Sequence, residues 1–405
     1  MAEAVLPVGP SPTAVLAPAA AATARSETPY AIYDCDVVRA QLARLAAALP
    51  GVDVHYAVKC NPSIEVLATV LEQGASFEVA SIYELDQVQA LGADPADVLF
   101  SNPVKPTRHI AAAARAGVRR FAVDSECEVR KVAEAAPGQQ VYISLAVADH
   151  GSRFPLSRKF GTSVAEAERL LLLAVELGLE AHGVTFHVGS QCTDPAAWRD
   201  ALGRCGELMT RLDRHGIRLA MVDLGGGFPV PYGDDEPVPD LGEIAAEVHA
   251  GLAALPYAPT TLAAEPGRFV AAPSGVLVTS VIGLTERDGE RWVHVDVGGY
   301  NALMEAVQTE GRWLFPLWTT ATDGATTTSV ITGPSCDSSD TLFYDVELPA
   351  DLGLDDRVVI GCAGAYTVSY ASSFNGFAPP SNHFHHAPAM PLGSSSSAAG
   401  PAVRS

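Results

Sequence analysis

Four stretches of the chain carry residue types that could do chemistry together: a lysine, a histidine, a triple glycine and a Glu-Pro-Gly-Arg tetrapeptide. Lys59 closes the run "HYAV", precedes Cys-Asn-Pro, and is one of only four lysines among 26 basic residues. Its neighbours Val54, Tyr56 and Val58 predict a buried strand, where a lysine is costly unless paired or neutralised. That position reads either as a structural ion pair or as an amine of lowered pKa able to form an imine. Lys105 lies between two prolines, Lys131 falls on a charged helix face and Lys159 in an Arg/Lys loop, so each is a weaker candidate. His187 ends the apolar run "GVTFHVG". Gly225, Gly226 and Gly227 in "DLGGGFP" can present successive N–H groups to an anion, although a plain tight turn would use the same glycines. In "EPGRF", Arg268 can either join those glycines as a bidentate phosphate donor or pair with a neighbouring helix.

An imine-forming lysine, a phosphate cradle and a carboxylate together point to pyridoxal 5'-phosphate. Glu265 opposite the pyridine nitrogen would keep the ring protonated, which makes it the stronger electron sink. Such a charge-assisted hydrogen bond is worth roughly 1.5–3 kcal/mol. His187 could stack flat on that ring; a satisfied structural histidine is the alternative.

These residues need a scaffold that brings distant segments to one place. Short β-rich runs at 54–58, 76–80, 98–102, 120–124, 141–147, 183–189, 219–225 and 261–267 alternate with helix-period segments such as "SIEVLATVLEQG", "AEAERLLLLAVELG" and "LGEIAAEVHAGLAAL". Eight β-then-α units predict an α/β fold, a (β/α)8 barrel over 29–271 with chemistry at the C-terminal ends of its strands. Those ends carry Lys59, Glu78, Asn102, Asp124, His187, Gly225–Gly227 and Glu265. After about 272 the pattern turns to strand-like runs without long helices, which predicts an antiparallel β domain over 272–386. The run "PYAIYD" (29–34) precedes the barrel and is able to pair into that domain instead. Residues 1–28 are Ala/Pro-rich and 387–405 Pro/Ser/Ala-rich, the composition of disordered tails. "NHFHH" (382–386) reads as the edge of a floppy tail or, less well, as a metal tract.

The net charge of -21 makes nucleic acid and anionic membranes poor partners, because the phosphate term would be repulsive, and suits a small cationic ligand. No apolar run approaches the ~18 residues of a membrane span, and the N-terminus lacks a signal-peptide pattern. Seven cysteines without a CxxC or an even framework read as reduced thiols of a cytoplasmic protein, with no metal site.

The motifs "YAVKCNP", "FEVAS", "FHVGSQC", "DLGGGFP", "EPGRF", "GPSCDSSD" and "GAYTVSYASSFNGF" resemble the ornithine/lysine/diaminopimelate/arginine decarboxylases of the alanine-racemase-like fold, and ornithine decarboxylase most. The resemblance runs, with gaps, from about residue 29 to 386. It implies that Lys59 attaches the cofactor with Glu78 nearby, where close members more often have Asp. His187 stacks on the ring and Glu265 holds the pyridine nitrogen. Ser190, Gly225, Gly226, Gly227, Gly267, Arg268 and Tyr366 hold the phosphate. Cys336, from a neighbouring subunit, returns a proton after CO2 leaves, and Asp337 binds the distal ammonium, so a homodimer shares two sites. Two departures bear on the substrate. Ser144 stands where close relatives carry Arg, and Gln308, Thr309 and Glu310 fall near a substrate-gripping Asp. The implied reaction is ornithine to putrescine, in polyamine or specialised biosynthesis, with lysine to cadaverine second. A diaminopimelate decarboxylase, a racemase and a non-catalytic binder are the remaining readings. The carboxylates of "GPSCDSSD", Glu265, and the presence of Lys59 and Cys336 argue against them in turn.

Overall fold

A computed structural model describes residues 27–148, 151–155, 158–232, 238–313, 315–321 and 324–389. Eight strands close into a parallel barrel: β2 (Val52–Ala57), β3 (Ser76–Val79), β4 (Leu99–Phe100), β5 (Arg120–Val123), β6 (Gln140–Leu145), β8 (Glu180–Phe186), β10 (Met221–Asp223) and β11 (Thr261–Ala264). All eight expected units are present. Pairing runs round the ring from β2 to β8, on to β10 and β11, and back to β2. Each strand ends before its apolar run does, because the last residues of the run turn out of the ladder and become the loops at the barrel mouth. Two short strands, β7 (Ser152–Phe154) and β9 (Ser190–Cys192), form an antiparallel ribbon over the C-terminal mouth that the sequence pattern did not mark.

Helices cover the barrel from α1 (Cys35–Ala48) to α8 (Leu241–Ala253), passing through α2 (Ile64–Glu72), α3 (Ile82–Ala90), α4 (Thr107–Ala116), α5 (Glu126–Ala135), α6 (Val164–Glu176) and α7 (Ala196–Asp213). Their starts are chemically defined. Asp240 and Glu243 form a reciprocal capping box at α8, and Ser81 accepts from the Glu84 N–H at α3, each satisfying donors that a helix start leaves open. Inside the barrel Leu99, Ala122, Tyr142, Met221 and Ala263 pack together, so its centre is a filled core and the open space lies at the strand ends.

The remaining strands build a second sheet: β12 (Gly275–Arg287), β13 (Glu290–Val295), β14 (Leu317–Thr319), β15 (Thr326–Thr332), β16 (Thr341–Pro349) and β17 (Arg357–Ile360). The sequence predicts it antiparallel, and most of it is; β13 with β15, however, is a parallel pair. β1 (Tyr30–Asp34) pairs antiparallel with β12 and parallel with β18 (Ser381–His385), so the first and last described strands lie side by side in this sheet. "NHFHH" is therefore not a tail edge: its first four residues lie in the strand, with Phe384 stacked on Tyr33 at 5.1 Å. Thr28, assigned to the tail, bonds Asp296 at 2.5 Å. Of the expected tails, 1–26 and 390–405 lie outside the described residues.

Candidate active site

The turn that carries Lys59 is built by its neighbours. β2 ends at Ala57, and Val58–Cys60 wind into one short 3-10 turn, so Lys59 projects from a turn past the strand and not from the strand itself. Asn61 stops that turn: its side-chain amide donates to the Gly364 carbonyl at 2.9 Å, and its carbonyl side accepts the Ser63 N–H at 3.1 Å. The Tyr366 N–H donates to the Cys60 carbonyl at 2.7 Å. Cys-Asn-Pro thus latches the barrel to the loop of the second sheet that brings Tyr366 to the mouth. Tyr366 has φ +59°, a left-handed backbone that is unfavourable for a tyrosine.

Lys59 makes an ion pair with Glu78, which is 1 % exposed at the end of β3. The sequence expectation of a lysine with lowered pKa is corrected here. Withdrawal from water opposes the charge, but Glu78, then Tyr366 and Glu265, outweigh it and hold the ammonium above its ordinary range. The lysine that burial does lower is Lys105, to about 8. It is sealed against Glu128 at 2.9 Å and the Asn102 and Ala122 carbonyls, away from the pocket lining.

One pocket at the mouth is lined by Lys59, His187, Ser190, Gly226, Gly227, Glu265, Gly267, Arg268 and Tyr366, with Ala57 and Phe228. Nine expected residues from four barrel loops and the second sheet therefore meet there. The glycines are required by space. Gly225 has φ +62°, and a Cβ on it would lie 1.9 Å from the Phe186 carbonyl oxygen; one on Gly227 would lie 2.5 Å from the Gly189 carbonyl oxygen. A Cβ on Gly226 would come within 3.1 Å of His187 Nε2, so a bare backbone faces the imidazole. Gly225 itself sits behind the lining, where its N–H is spent on Asp223 at 3.0 Å.

His187 Nδ1 accepts the Gly189 N–H at 3.0 Å, which leaves any ring proton on Nε2. Burial, then Lys59, pushes its pKa down to about 4, so the ring is neutral at physiological pH. Glu265 accepts from Ser101, whose hydroxyl lies 2.6 Å from that of Tyr142. Burial, then Asp223 and Glu78, raise the Glu265 pKa well above the usual carboxylate range. Asp223, fully buried, is also raised, by burial first, despite donors from Thr185 at 2.8 Å and Gly225.

Arg268 is 4 % exposed, and four of its five donors are engaged within the fold. Nη1 and Nη2 reach the two oxygens of Glu305 at 2.9 and 2.5 Å, Nη1 reaches the Tyr232 hydroxyl at 3.0 Å, and Nε reaches Ser190 Oγ at 3.1 Å. The alternative read from sequence, a pair with a neighbouring helix, is thus present, since Glu305 lies on the short helix Met304–Gln308.

Four expected residues are not brought to this pocket within one chain. Cys336 and Asp337 sit on the β15–β16 loop, where Asp337 accepts from the Tyr300 hydroxyl at 3.0 Å and Cys336 Sγ lies 3.6 Å from Asn375 Oδ1. The Ser339 amide and hydroxyl, with Tyr300, hold the Asp337 carboxyl below its ordinary pKa. Thr309 turns its hydroxyl to the Glu305 carbonyl at 2.9 Å, and Glu310 pairs with Arg312 at the surface at 2.9 Å. Sequence reasoning passed over Ser101, Tyr142, Asp223 and Glu305. Ser101 was within reach, one residue before the Asn102 chosen as the end of strand four.

The donor set fits pyridoxal 5'-phosphate: a pocket amine, a cradle with no room for side chains, a neutral imidazole beside it, and a carboxylate at the barrel mouth. A family profile described as the pyridoxal binding domain of pyridoxal-dependent decarboxylases matches residues 35–272. A lysine/ornithine decarboxylase of Selenomonas ruminantium is 36 % identical over 353 residues, 87 % of this chain and 88 % of that one. Antizyme inhibitor 2 of Xenopus laevis is 34 % identical over 366 residues, 86 % of this chain and 79 % of that one. Among solved structures, a lysine/ornithine decarboxylase from Vibrio vulnificus complexed with cadaverine superposes with a TM-score of 0.85 at 32 % identity, covering 94 % of this chain and 100 % of that one.

Proposed function

Because the chain belongs to the pyridoxal-dependent decarboxylase family, we propose that it converts a basic L-amino acid to an amine and CO2, with L-ornithine to putrescine the leading reaction. The observation that carries this reading is the meeting of Lys59, His187, Glu265 and the glycine cradle at one barrel mouth. Bound pyridoxal 5'-phosphate supplies an electron sink for the pair left behind when CO2 departs. Lys59 provides the amine that attaches it, and Glu78 steadies Nζ and takes part of its charge. Glu265 would hold a proton at the ring nitrogen. The backbone N–H groups of Gly226 and Gly227, with the hydroxyls of Ser190 and Tyr366, would take the phosphate. Arg268 orients Ser190 from behind, its own charge answered by Glu305.

Completing the site calls for a second copy of the chain. Cys336 would return the proton to the substrate carbon, and Asp337, kept ionised by its donors, would pair with the distal ammonium. The loop that bears them is braced by Tyr300, whose ring packs on Phe374 at 4.4 Å. Phe374, Phe377 and Tyr370 are 39–43 % exposed on one short segment, apolar surface of the kind an interface covers. Thr309 and Glu310 are the further candidates for the far amine.

Lysine to cadaverine is the second reading, favoured by the names of the Selenomonas and Vibrio proteins. Either product would fit a cytoplasmic enzyme of polyamine or specialised biosynthesis, and among the described residues no helix is long and apolar enough to cross a membrane. The test is incubation of purified, cofactor-loaded protein with ornithine, lysine, arginine and diaminopimelate, with amines read by mass spectrometry. The expected outcome is putrescine first and cadaverine second. No amine from any of the four contradicts the proposal and leaves a binding role, as the name of the Xenopus relative would have it.

A further inference from the structure

Glu265 is the one pocket carboxylate that must keep a fixed direction, yet no cation on β6 helps hold it, since Ser144 occupies the inward position two residues beyond Tyr142. The groups facing it are Asp223 and Glu78, both acidic, and Lys59, whose charge is already engaged by Glu78. Its hydrogen-bond donor is Ser101, at the end of β4. Behind Ser101 stands Tyr142, fully buried in the barrel interior against Leu99, Ala122, Met221 and Ala263, with its hydroxyl 2.6 Å from Ser101 Oγ.

Chemistry sets the order of these bonds. Once titrated above its raised pKa, Glu265 is a carboxylate with no proton to give, so Ser101 donates to Glu265 Oε1. The single hydroxyl proton of Ser101 is then committed, so the contact with Tyr142 is satisfied only if tyrosine donates to serine. The chain runs Tyr142 to Ser101 to Glu265. Hydrogen bonds in series polarise one another, so the serine is a better donor than it would be alone. A buried tyrosine hydroxyl needs a partner in any fold. Here the partner leads directly to the pocket.

We propose that Ser101 and Tyr142 are positioning residues, a two-hydroxyl relay that fixes Glu265 Oε1 and so presents the other carboxylate oxygen to the ring nitrogen of the cofactor. The proposal rests on the decarboxylase reading of the pocket. Its first test therefore does not use activity. In cofactor-free protein, infrared difference spectra against Glu265→Gln identify the band of protonated Glu265. A hydrogen bond to the ionised form lowers a carboxyl pKa, so its removal raises it. In Ser101→Ala the band should persist about one to two pH units higher, since a charge-assisted hydrogen bond and one or two units of pKa are similar free energies. Ser101→Thr, which keeps a hydroxyl, should restore the wild-type midpoint.

The second test is a double-mutant cycle on the loaded enzyme. Ser101→Ala should lower kcat by about 10- to 100-fold with KM nearly unchanged. Tyr142→Phe should cost less, and the double variant no more than Ser101→Ala, because tyrosine acts only through serine. Thermal unfolding of each variant reports whether the barrel is intact. An unmoved Glu265 band in folded Ser101→Ala overturns the proposal even if the protein proves inactive on every amino acid. Strict additivity of the two substitutions overturns the relay, leaving Tyr142 a core residue.

Discussion

Lys59, on the pocket lining, is ion-paired with Glu78 buried behind it, and the two act as a unit. Glu78 holds the ammonium, so the amine must release a proton before it can attack a carbonyl, and a carboxylate beside it is placed to take up the difference. Borohydride reduction of cofactor-loaded protein should therefore fix the pyridoxyl group on the Lys59 peptide, read by mass mapping; a label on Lys105, Lys131 or Lys159 would sink that assignment. His187 gives a pH signature. Its folded pKa, about 4, lies below the ordinary value of 6.5, so its contribution to stability is full above about 6.5 and is lost as pH falls toward 4. Urea unfolding across that window should show a shallower acid loss in His187→Asn than in wild type; identical slopes would mean the imidazole is protonated as easily in the fold as out of it. The candidate site was legible because lysine, histidine and triple glycine at strand ends are rare combinations. The lysine's pKa was not, since its direction depends on Glu78, Tyr366 and Glu265, which come from other parts of the chain.

At the scale of elements, the short helix Met304–Gln308 does more than join two strands. Through Glu305 it delivers the counter-ion of Arg268 into a cage of Tyr232, Trp313 and Tyr366, with the guanidinium 4.8 Å from the Trp313 ring centre and 4.9 Å from that of Tyr366. Breaking one partner of such a buried pair strands the other charge, which typically costs about 3–5 kcal/mol. Glu305→Gln should lower unfolding free energy in urea by about that amount, and replacing both partners with well-packed apolar residues should recover much of it. A loss under about 1 kcal/mol in the single variant would show that the aromatic cage alone holds Arg268. The barrel elements were readable from alternating apolar runs and helix-period segments, because each parallel strand must be followed by a covering helix. The β7–β9 ribbon was not, since its strands are three residues each, nor was the parallel β13–β15 pairing, since its partners lie far apart in sequence. Glu305 gave no signal of its own: a glutamate in "LMEAVQ" looks like any helix residue until Arg268 is found 2.5 Å away.

At the scale of the whole molecule, the proposed chemistry is divided. Lys59, His187 and Glu265 belong to the barrel, while Cys336 and Asp337 stand on the second sheet outside the pocket lining, beside exposed Tyr370, Phe374 and Phe377. Two copies related by a two-fold axis would place each loop against the other copy's barrel, so both sites form or neither does. Dilution to monomer should accordingly abolish turnover, with sedimentation tracking the same midpoint as activity. The most direct test is complementation between two inactive variants, Lys59→Ala and Cys336→Ala. After subunit exchange, about half the dimers are mixed, and each mixed dimer holds one intact site and one doubly defective site, so roughly a quarter of wild-type activity should return. With exchange verified by mass spectrometry, a return of no activity would show that Lys59 and Cys336 act within one chain and would contradict the shared site.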